Sequence, residues 1–401
     1  MLDRAYREFE KRQQDRGISL KGIKEKLKML KIETPSWGYS DQGTRFRTFK
    51  QPGAARSVEE RLQDAAKVHE VTGLCPSVAI HIPWDKVDDY SQLSNRAASL
   101  GITIGAVNPN LFQDDDYMLG SVCNPDSRVR SKAVAHLIEC VDVARAVKSR
   151  DISLWFADGT NYPGQADLRR RKGYMEEALA EMYRSMDPNM RMLIEYKFFE
   201  PAFYHTDLAD WGMAYQLAQK LGPQAEVLVD TGHHAQGTNV EHIVAYLLDE
   251  RRLGGFHFNA RKYADDDLIV GSVNPYELYL IFHQILSAER DQAHPLVQDN
   301  ARNIAYMIDQ SHNIEPKIPA MIRSVLNVQY QYAKALLVNW NLLEEAQERG
   351  DVLAAEAVVR EAFEQDPTPL LHAVREEMGI APNPMKAYSE SGYAEKLLQS
   401  R

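Results

Sequence analysis

Four ionisable side chains interrupt apolar runs of this 401-residue sequence, and they are of the types that bind divalent metal ions. Glu195 lies in MLIEYKF, Asp230 in EVLVDT, His257 in GGFHFN and Asp309 in NIAYMID. If the three carboxylates converge in one pocket, they cannot all ionise without countercharge, and a divalent cation is the usual remedy. Three carboxylates and one imidazole suit Mn²⁺, Mg²⁺ or Co²⁺ better than an ion that prefers thiolates.

A second group of such side chains lies close to these runs in the sequence. His233 lies in VDTGHH, and Asp265 and Asp267 lie two residues apart in YADDDL, from which both can project toward the same mouth. Together with a shared Glu195, these residues form a second candidate cluster. The two clusters contain five carboxylates, a number that could balance two divalent ions.

Each of these side chains also has an ordinary structural explanation. Lys197 lies two residues after Glu195, on the same face of a strand, so the two could form a simple buried ion pair. Asp230 and Asp309 could cap the turns that follow them, and His257 could be a hydrogen-bonded core histidine. The triplet DDD could be a solvated acidic turn, and the pair in GHH could lie on a surface loop. One shared site explains all of these positions with fewer assumptions than an independent structural role for each residue.

Aromatic residues near the same predicted strand ends indicate a sugar-binding pocket. Trp37 and His81 lie at the ends of the first and second candidate strands, and Trp155 lies in the fourth. A pyranose offers CH faces for stacking and hydroxyl groups for hydrogen bonds, so an aromatic wall with a histidine suits it. Either tryptophan could equally belong to the core.

Eight short β-type runs, each followed by a segment with apolar residues at helical spacing, supply the elements that must position these side chains. The runs are residues 32–37, 77–83, 102–110, 152–158, 192–198, 226–231, 254–259 and 303–309. This alternation predicts parallel strands joined by helices, in an α/β (β/α)₈ TIM barrel whose active site lies at the C-terminal ends of the strands. An open doubly wound sheet is the alternative, but neither GxGxxG nor GxxxxGK[ST] is present.

The predicted organisation is a barrel with an N-terminal helical lead-in over residues 1–316, followed by a helical C-terminal extension over 317–401. The extension contains no strand-like run, and its apolar faces predict packing on its own barrel or on a neighbouring subunit. From Pro382 onward, Pro, Ser and Gly predict poor order.

Composition and charge narrow the classes of function. The net charge of −10 would repel nucleic acid, and the charged N-terminus has no apolar region typical of a secretion signal or membrane anchor. The three cysteines have no CxxC spacing, which predicts buried thiols in a reducing compartment. We therefore expect a cytoplasmic enzyme that acts on a small molecule, with no nucleic acid or membrane partner.

The motifs IEYKFFEP, VDTGHHAQGTN, GFHFNARKYADDDLIVGS and AYMIDQSHN together resemble those of the L-rhamnose isomerase family, within the broader xylose isomerase-like barrels. The resemblance covers most of the chain, from PSWGYSDQGTRF through the helical tail. It implies a homotetrameric, metal-dependent aldose-ketose isomerase of rhamnose metabolism. It also implies two divalent ions per subunit, with Mn²⁺ as the first choice and Co²⁺ or Mg²⁺ as alternatives.

The resemblance implies roles for particular residues. The ligands of a structural, substrate-holding metal would be Glu195, Asp230, His257 and Asp309. The ligands of a catalytic metal would be Glu195, His233, Asp265 and Asp267. Lys197 would contact a substrate oxygen, and the residues lining the sugar pocket would be Trp37, His81 and Trp155.

The implied reaction converts L-rhamnose to L-rhamnulose by a metal-assisted hydride shift between carbon 2 and carbon 1 of the open-chain sugar. A base-mediated enediol route is the alternative, and either His81 or Asp267 could transfer the proton that opens the ring.

Two other functions fit a metal-binding barrel less well. A metal-dependent phosphodiesterase or endonuclease should have basic loops facing DNA, but acids follow the basic run at residues 169–172 directly. A non-catalytic sugar-binding protein would need neither a lysine beside a carboxylate ligand nor a second metal cluster.

Overall fold

A computed structural model of the protein describes residues 2–44, 46–201, 203–310 and 314–401. Within these ranges the strands are β1 Thr34–Pro35, β2 Gln42–Thr44, β3 Arg47–Phe49, β4 Ser77–Ile82, β5 Thr103–Pro109, β6 Asp151–Leu154, β7 Arg191–Glu195, β8 Phe199–Glu200, β9 Tyr204–His205, β10 Ala225–Asp230, β11 Leu253–Phe258 and β12 Ala305–Ile308. The α-helices are α1 Leu2–Asp15, α2 Leu20–Met29, α3 Val58–Thr72, α4 Tyr90–Ser99, α5 Ser127–Val147, α6 Leu168–Ser185, α7 Trp211–Leu221, α8 Val240–Asp249, α9 Pro275–Arg290, α10 Pro295–Arg302, α11 Lys317–Leu336, α12 Trp340–Glu348, α13 Val352–Glu364, α14 Thr368–Glu377, α15 Pro384–Glu390 and α16 Tyr393–Ser400. Two 3₁₀ helices span Ser36–Tyr39 and Asp115–Leu119.

Eight of the strands form one parallel sheet in the order β1-β4-β5-β6-β7-β10-β11-β12. A bridge between Glu33 and Met307 joins its two ends, where the Glu33 N–H donates to Tyr306 O at 2.8 Å and the Ile308 N–H donates to Glu33 O at 2.9 Å. The prediction of a (β/α)₈ barrel is therefore confirmed, and each of the eight predicted runs overlaps one barrel strand. The remaining strands form two small antiparallel hairpins, β2-β3 and β8-β9.

Local sequence signals explain where the outer helices begin and end. Ser57 and Glu60 form a reciprocal capping box at the start of α3, and Gly73 ends that helix in the left-handed conformation at φ 70°. Similarly, the Asn274 side chain caps α9, which has Pro275 at its first position. The apolar faces of these helices pack around the sheet and build a large core.

The C-terminal region is helical throughout, as predicted, and α11 packs against α9 and α3 of the barrel. The predicted poor order from Pro382 onward is wrong, because α15 and α16 occupy this stretch. The Asn383 side chain caps α15, and Arg401 lies 2.6 Å from the buried carboxylate of Asp64 in α3. These contacts hold the end of the chain against the barrel. The division at residues 316 and 317 stays a prediction.

The cysteines Cys75, Cys123 and Cys140 are buried free thiols, as the sequence predicts. No helix within the described ranges combines the length and the apolar character needed to cross a bilayer.

Candidate metal and sugar site

The four predicted ligands of the first metal lie at one rim of the barrel. Glu195 and Asp230 are the last residues of β7 and β10, His257 is in β11, and Asp309 directly follows β12. These strands are consecutive neighbours in the sheet and run parallel, so their C-terminal ends meet. One ligand atom from each residue lies within 4.8 Å of every other. Opposite ligands around an ion with bonds of about 2.1 Å would lie roughly 4.2 Å apart, so the spacing suits a metal ion.

The buried imidazole of His257 tests whether this group fits a cation. Its Nδ1 lies 3.2 Å from Glu195 Oε2 and 3.6 Å from Asp309 Oδ2, yet it forms no hydrogen bond with any residue in the described ranges. A buried nitrogen without a partner is costly, and a metal ion between it and the carboxylates would satisfy all three groups. The Trp37 indole N–H donates to Asp309 Oδ1 at 2.9 Å and orients that carboxylate. The donor set therefore fits a divalent ion.

The second predicted set is held together differently. His233 Nδ1 lies 3.2 Å from Glu195 Oε1, and its Nε2 lies 2.9 Å from Asp265 Oδ1. The Lys197 ammonium forms ion pairs with Asp265 and, at 2.8 Å, with Glu200. Among the described residues at this rim, only the first set brings one ligand atom of every member within 4.8 Å of the others. A second metal site at the second set stays a prediction.

Burial and mutual repulsion oppose ionisation of the carboxylates at this rim. Burial raises the pKa of Asp230 to about 7, and it also raises the pKa of Asp309 and that of Asp267. Burial opposes ionisation of Glu195 too, but the imidazoles of His257 and His233 together outweigh it and lower the pKa of that carboxyl. Burial likewise opposes protonation of His257, while the carboxylates of Glu195, Asp309 and Asp230 together outweigh it and raise the pKa of the imidazole to about 9. A divalent cation would displace these protons and neutralise the carboxylates.

A cavity of about 270 Å³ opens beside these carboxylates, and aromatic rings line one side of it. His81 stacks on Trp84 at a centroid distance of 4.0 Å and meets the edge of Trp37 at 5.5 Å, while Phe112 contacts Trp155 at 5.0 Å. The predicted pocket residues Trp37, His81 and Trp155 all line this cavity, together with Lys197 and Asp267. The size and mixed lining of the cavity suit a monosaccharide.

Sequence reasoning missed several side chains of this rim. Trp84 and Phe112 complete the aromatic wall, Glu200 holds Lys197, and Asn108 and Asn259 are buried amides near the carboxylates. Trp84 comes two residues after the end of β4, and Phe112 comes three residues after the end of β5. The rule that barrel sites lie at C-terminal strand ends could therefore have found both rings. The last residues of the AYMIDQSHN motif, 311–313, lie outside the described residues.

A second cluster of candidate metal ligands, elsewhere in the fold, is already neutralised. One atom each of Cys123, Asp158 and Asp207 lies within 4.8 Å of the others. Asp158 accepts hydrogen bonds from the backbone N–H groups of Ser121 and Cys123 and from the Ser121 hydroxyl, and Arg171 pairs with Asp207 at 2.8 Å. Burial raises the pKa of the Cys123 thiol well above its usual range. Hydrogen bonds and an ion pair therefore already satisfy these carboxylates.

Known proteins match this chain along its whole length. A family model described as xylose isomerase-like TIM barrel matches residues 66–284. A probable sugar isomerase of Rhizobium meliloti is 39% identical, with 100% of this chain and 93% of the relative covered. A probable sugar isomerase of Mesorhizobium japonicum is 36% identical at the same coverage.

Two solved structures are similar in fold. A D-psicose 3-epimerase structure has a TM-score of 0.52 at 11% identity, covering 77% of this chain and 97% of that chain. An L-ribulose 3-epimerase structure has a TM-score of 0.52 at 13% identity, covering 84% and 97%. At these identities the likeness concerns the fold alone. The family match and the two relatives, by contrast, establish that the chain belongs to the xylose isomerase-like TIM barrel family.

Proposed function

We propose that the protein is a metal-dependent aldose-ketose isomerase that converts L-rhamnose to L-rhamnulose. The observation that carries this proposal is the convergence of Glu195, Asp230, His257 and Asp309 at the mouth of a cavity with an aromatic wall. The printed names of both full-length relatives, probable sugar isomerases, support an isomerase reaction on a sugar. The choice of rhamnose rests on the motif resemblance.

Two divalent ions, with Mn²⁺ as the first choice, complete the proposed active site. The four convergent residues would hold one ion, and Glu195, His233, Asp265 and Asp267 would hold the other. When bound, such ions would act as Lewis acids that polarise the substrate oxygens on carbon 1 and carbon 2.

The side chains around the cavity bind and orient the open-chain sugar. The rings of Trp84, Phe112 and Trp155 exclude water and pack against its CH groups. Asp265 and Glu200 hold the Lys197 ammonium 4.9 Å from the Trp155 ring centroid, where it can donate a hydrogen bond to a substrate oxygen.

His81 is better suited to hydrogen bonding than to proton transfer. Burial lowers the pKa of its imidazole to about 3, so the ring stays neutral and is a weak base. Its Nδ1 has no hydrogen-bond partner among the described residues. We therefore assign His81 to recognition of a sugar hydroxyl.

The test compares two acidic residues at opposite ends of the same strand. Asp230 ends β10 at the proposed site, whereas Glu226 lies near its start and pairs with Arg191 at 2.9 Å. After EDTA treatment and Mn²⁺ restoration, we expect Asp230→Asn to lose ketose formation from L-rhamnose, because it removes a proposed ligand. Glu226→Gln should retain Mn²⁺ binding and turnover. An Asp230→Asn variant of unchanged activity would remove this residue from the site, and inactive wild-type protein would refute the assignment to rhamnose.

The assembly and location of the protein stay predictions. We expect a homotetramer in the cytoplasm, and the molar mass in solution should then equal that of four chains of 45.6 kDa.

A further inference from the structure

The buried amide of Asn259 connects the two predicted metal-binding sets. Its Nδ2 donates to Asp230 Oδ1 at 2.9 Å and lies 3.1 Å from Asp230 Oδ2, and it also lies 3.4 Å from Asp267 Oδ1. Asp230 belongs to the first set and Asp267 to the second. One neutral side chain thus contacts a carboxylate of each.

The orientation of this amide follows from its neighbours. An Asn side chain has two N–H donors at one end and an oxygen acceptor at the other. Turning the oxygen toward Asp230 and Asp267 would place three acceptors against one another. With the nitrogen inward, each carboxylate receives an N–H, and no positive charge is added that would compete with a metal ion.

The surrounding backbone holds Asn259 at this position. Its N–H donates to Thr231 Oγ1 at 2.9 Å, and the Thr231 hydroxyl donates back to Asn259 O at 2.9 Å. Gly232 allows the close approach, because a Cβ at that position would lie 2.6 Å from Asn259 Oδ1. The loop after β10 and the end of β11 are therefore shaped around this side chain.

The amide also helps to fix the orientation of the Asp230 carboxylate, since it contacts both oxygens. Oδ1 accepts the backbone N–H of Gly232 at 2.6 Å and the shorter of the two Asn259 contacts. Oδ2 lies on the side of His233, 3.9 Å from its Nε2. A carboxylate fixed in this way keeps a set orientation, as metal ligands with hydrogen-bonded partners do.

We propose that Asn259 is a positioning residue that couples the two metal sites, by holding Asp230 and Asp267 in the orientations that ligation requires. The role rests on the proposed two-metal function and deepens it. Because one amide serves both sets, its loss should weaken both sites together. The loss of an outer hydrogen-bond partner of a ligand typically costs about 10- to 100-fold in metal affinity.

The experiment is a calorimetric titration of Mn²⁺ into EDTA-treated protein. In Asn259→Leu, which keeps the branched shape of the side chain without its polar atoms, and in Asn259→Ala, we expect both affinities to fall by about 10- to 100-fold. Asn259→Ser keeps one donor, so it should show a smaller loss, and it serves as the measurable variant if the other two do not fold. The matched control is Asn300→Leu in α10, whose half-buried amide donates to Leu253 O at 3.1 Å, at the start of β11 and so at the end of that strand opposite the rim. It should bind Mn²⁺ as the wild type does.

The outcomes separate this role from the proposed function. Wild-type protein that binds no Mn²⁺ would overturn both. Wild-type protein with two sites and Asn259 variants with unchanged affinities would overturn the positioning role alone, as would a loss confined to one site. A lower melting temperature of the metal-free variants with unchanged affinities would show a purely structural role and overturn the proposal as well.

Discussion

At the scale of single residues, the chemistry depends on charges that the barrel keeps away from water. Lys197 is buried beside Asp265 and Glu200. Burial opposes its protonation, but the two carboxylates outweigh this effect and raise the pKa of the ammonium. The lysine is therefore a fixed positive donor at neutral pH and not a base. This fits contact with a substrate oxygen that gains negative charge during the reaction.

Replacing this lysine tests its role as a donor. We expect Lys197→Met to lower kcat/KM for the sugar by about 10²- to 10³-fold, the usual effect of removing one such donor, while Mn²⁺ still binds. Steady-state kinetics with metal analysis of the same sample measures both quantities. Lys220→Met is the control, because that lysine forms an exposed pair with Glu176 at 2.6 Å. Equal activity of the two variants would contradict the donor role.

At the scale of elements, one buried ion pair joins the last helix to the barrel. The side chain of Arg401, just after α16, is 3% exposed, and that of its partner Asp64 in α3 is 1% exposed. The Tyr393 hydroxyl of α16 donates to the same carboxylate at 2.9 Å. Burial raises the pKa of Asp64 to about 6 even beside the guanidinium, so this carboxylate depends on its partners to stay ionised. Helix α16 is therefore held by buried charge as well as by apolar contact.

A double-mutant cycle tests this connection. Arg401→Leu should lower the free energy of unfolding by about 3 kcal/mol, because it leaves the Asp64 carboxylate buried without its cation. The double variant Asp64→Leu/Arg401→Leu should be less destabilised than the sum of the single variants, since no unpaired charge remains. Chemical denaturation measures all four proteins. Strict additivity of the two changes would show that the pair contributes no coupling.

At the scale of the whole molecule, resistance to acid depends on buried neutral histidines. His283 in α9 packs against Trp340 of α12 at a ring distance of 4.7 Å, and neither of its nitrogens has a hydrogen-bond partner among the described residues. Burial lowers the pKa of His283 from 6.5 to about 4. Below pH 6.5 the unfolded chain therefore binds a proton that the folded protein resists until about pH 4. The free energy of unfolding therefore decreases as the pH is lowered across this window.

Removal of this histidine should reduce the acid sensitivity. As pH falls from 6.5 to 4, we expect His283→Leu to gain up to about 3 kcal/mol of stability relative to wild type, the free energy of a pKa shift of this size. Denaturant titrations at several pH values measure this difference. His242→Leu changes an exposed histidine of α8 and should show no such gain. A constant difference between His283→Leu and wild type at all pH values would contradict the assignment.

Much of the fold, and the first of the two proposed metal-binding sets, could be predicted from residues close together in the chain. The eight strands follow from apolar runs between helical segments, and Glu195, Asp230, His257 and Asp309 follow from their positions at strand ends. Strand periodicity and the alternation of strands and helices are local properties of the sequence. In a parallel barrel the C-terminal ends of the strands lie together, so residues at those ends are predicted to share one site.

Other features required the tertiary structure, because they depend on contacts between distant segments. The order of α16 depends on Asp64, more than 300 positions earlier in the chain, and composition alone predicted the opposite. The two-sided contacts of His233 and the bridge made by Asn259 depend on how neighbouring strand ends approach one another. The sequence alone determined that Glu195, Asp230, His257 and Asp309 reach the rim of the barrel, since their positions at strand ends decide that. Only the packed structure decided which of them touch, because side-chain pairing depends on distances that local patterns do not contain.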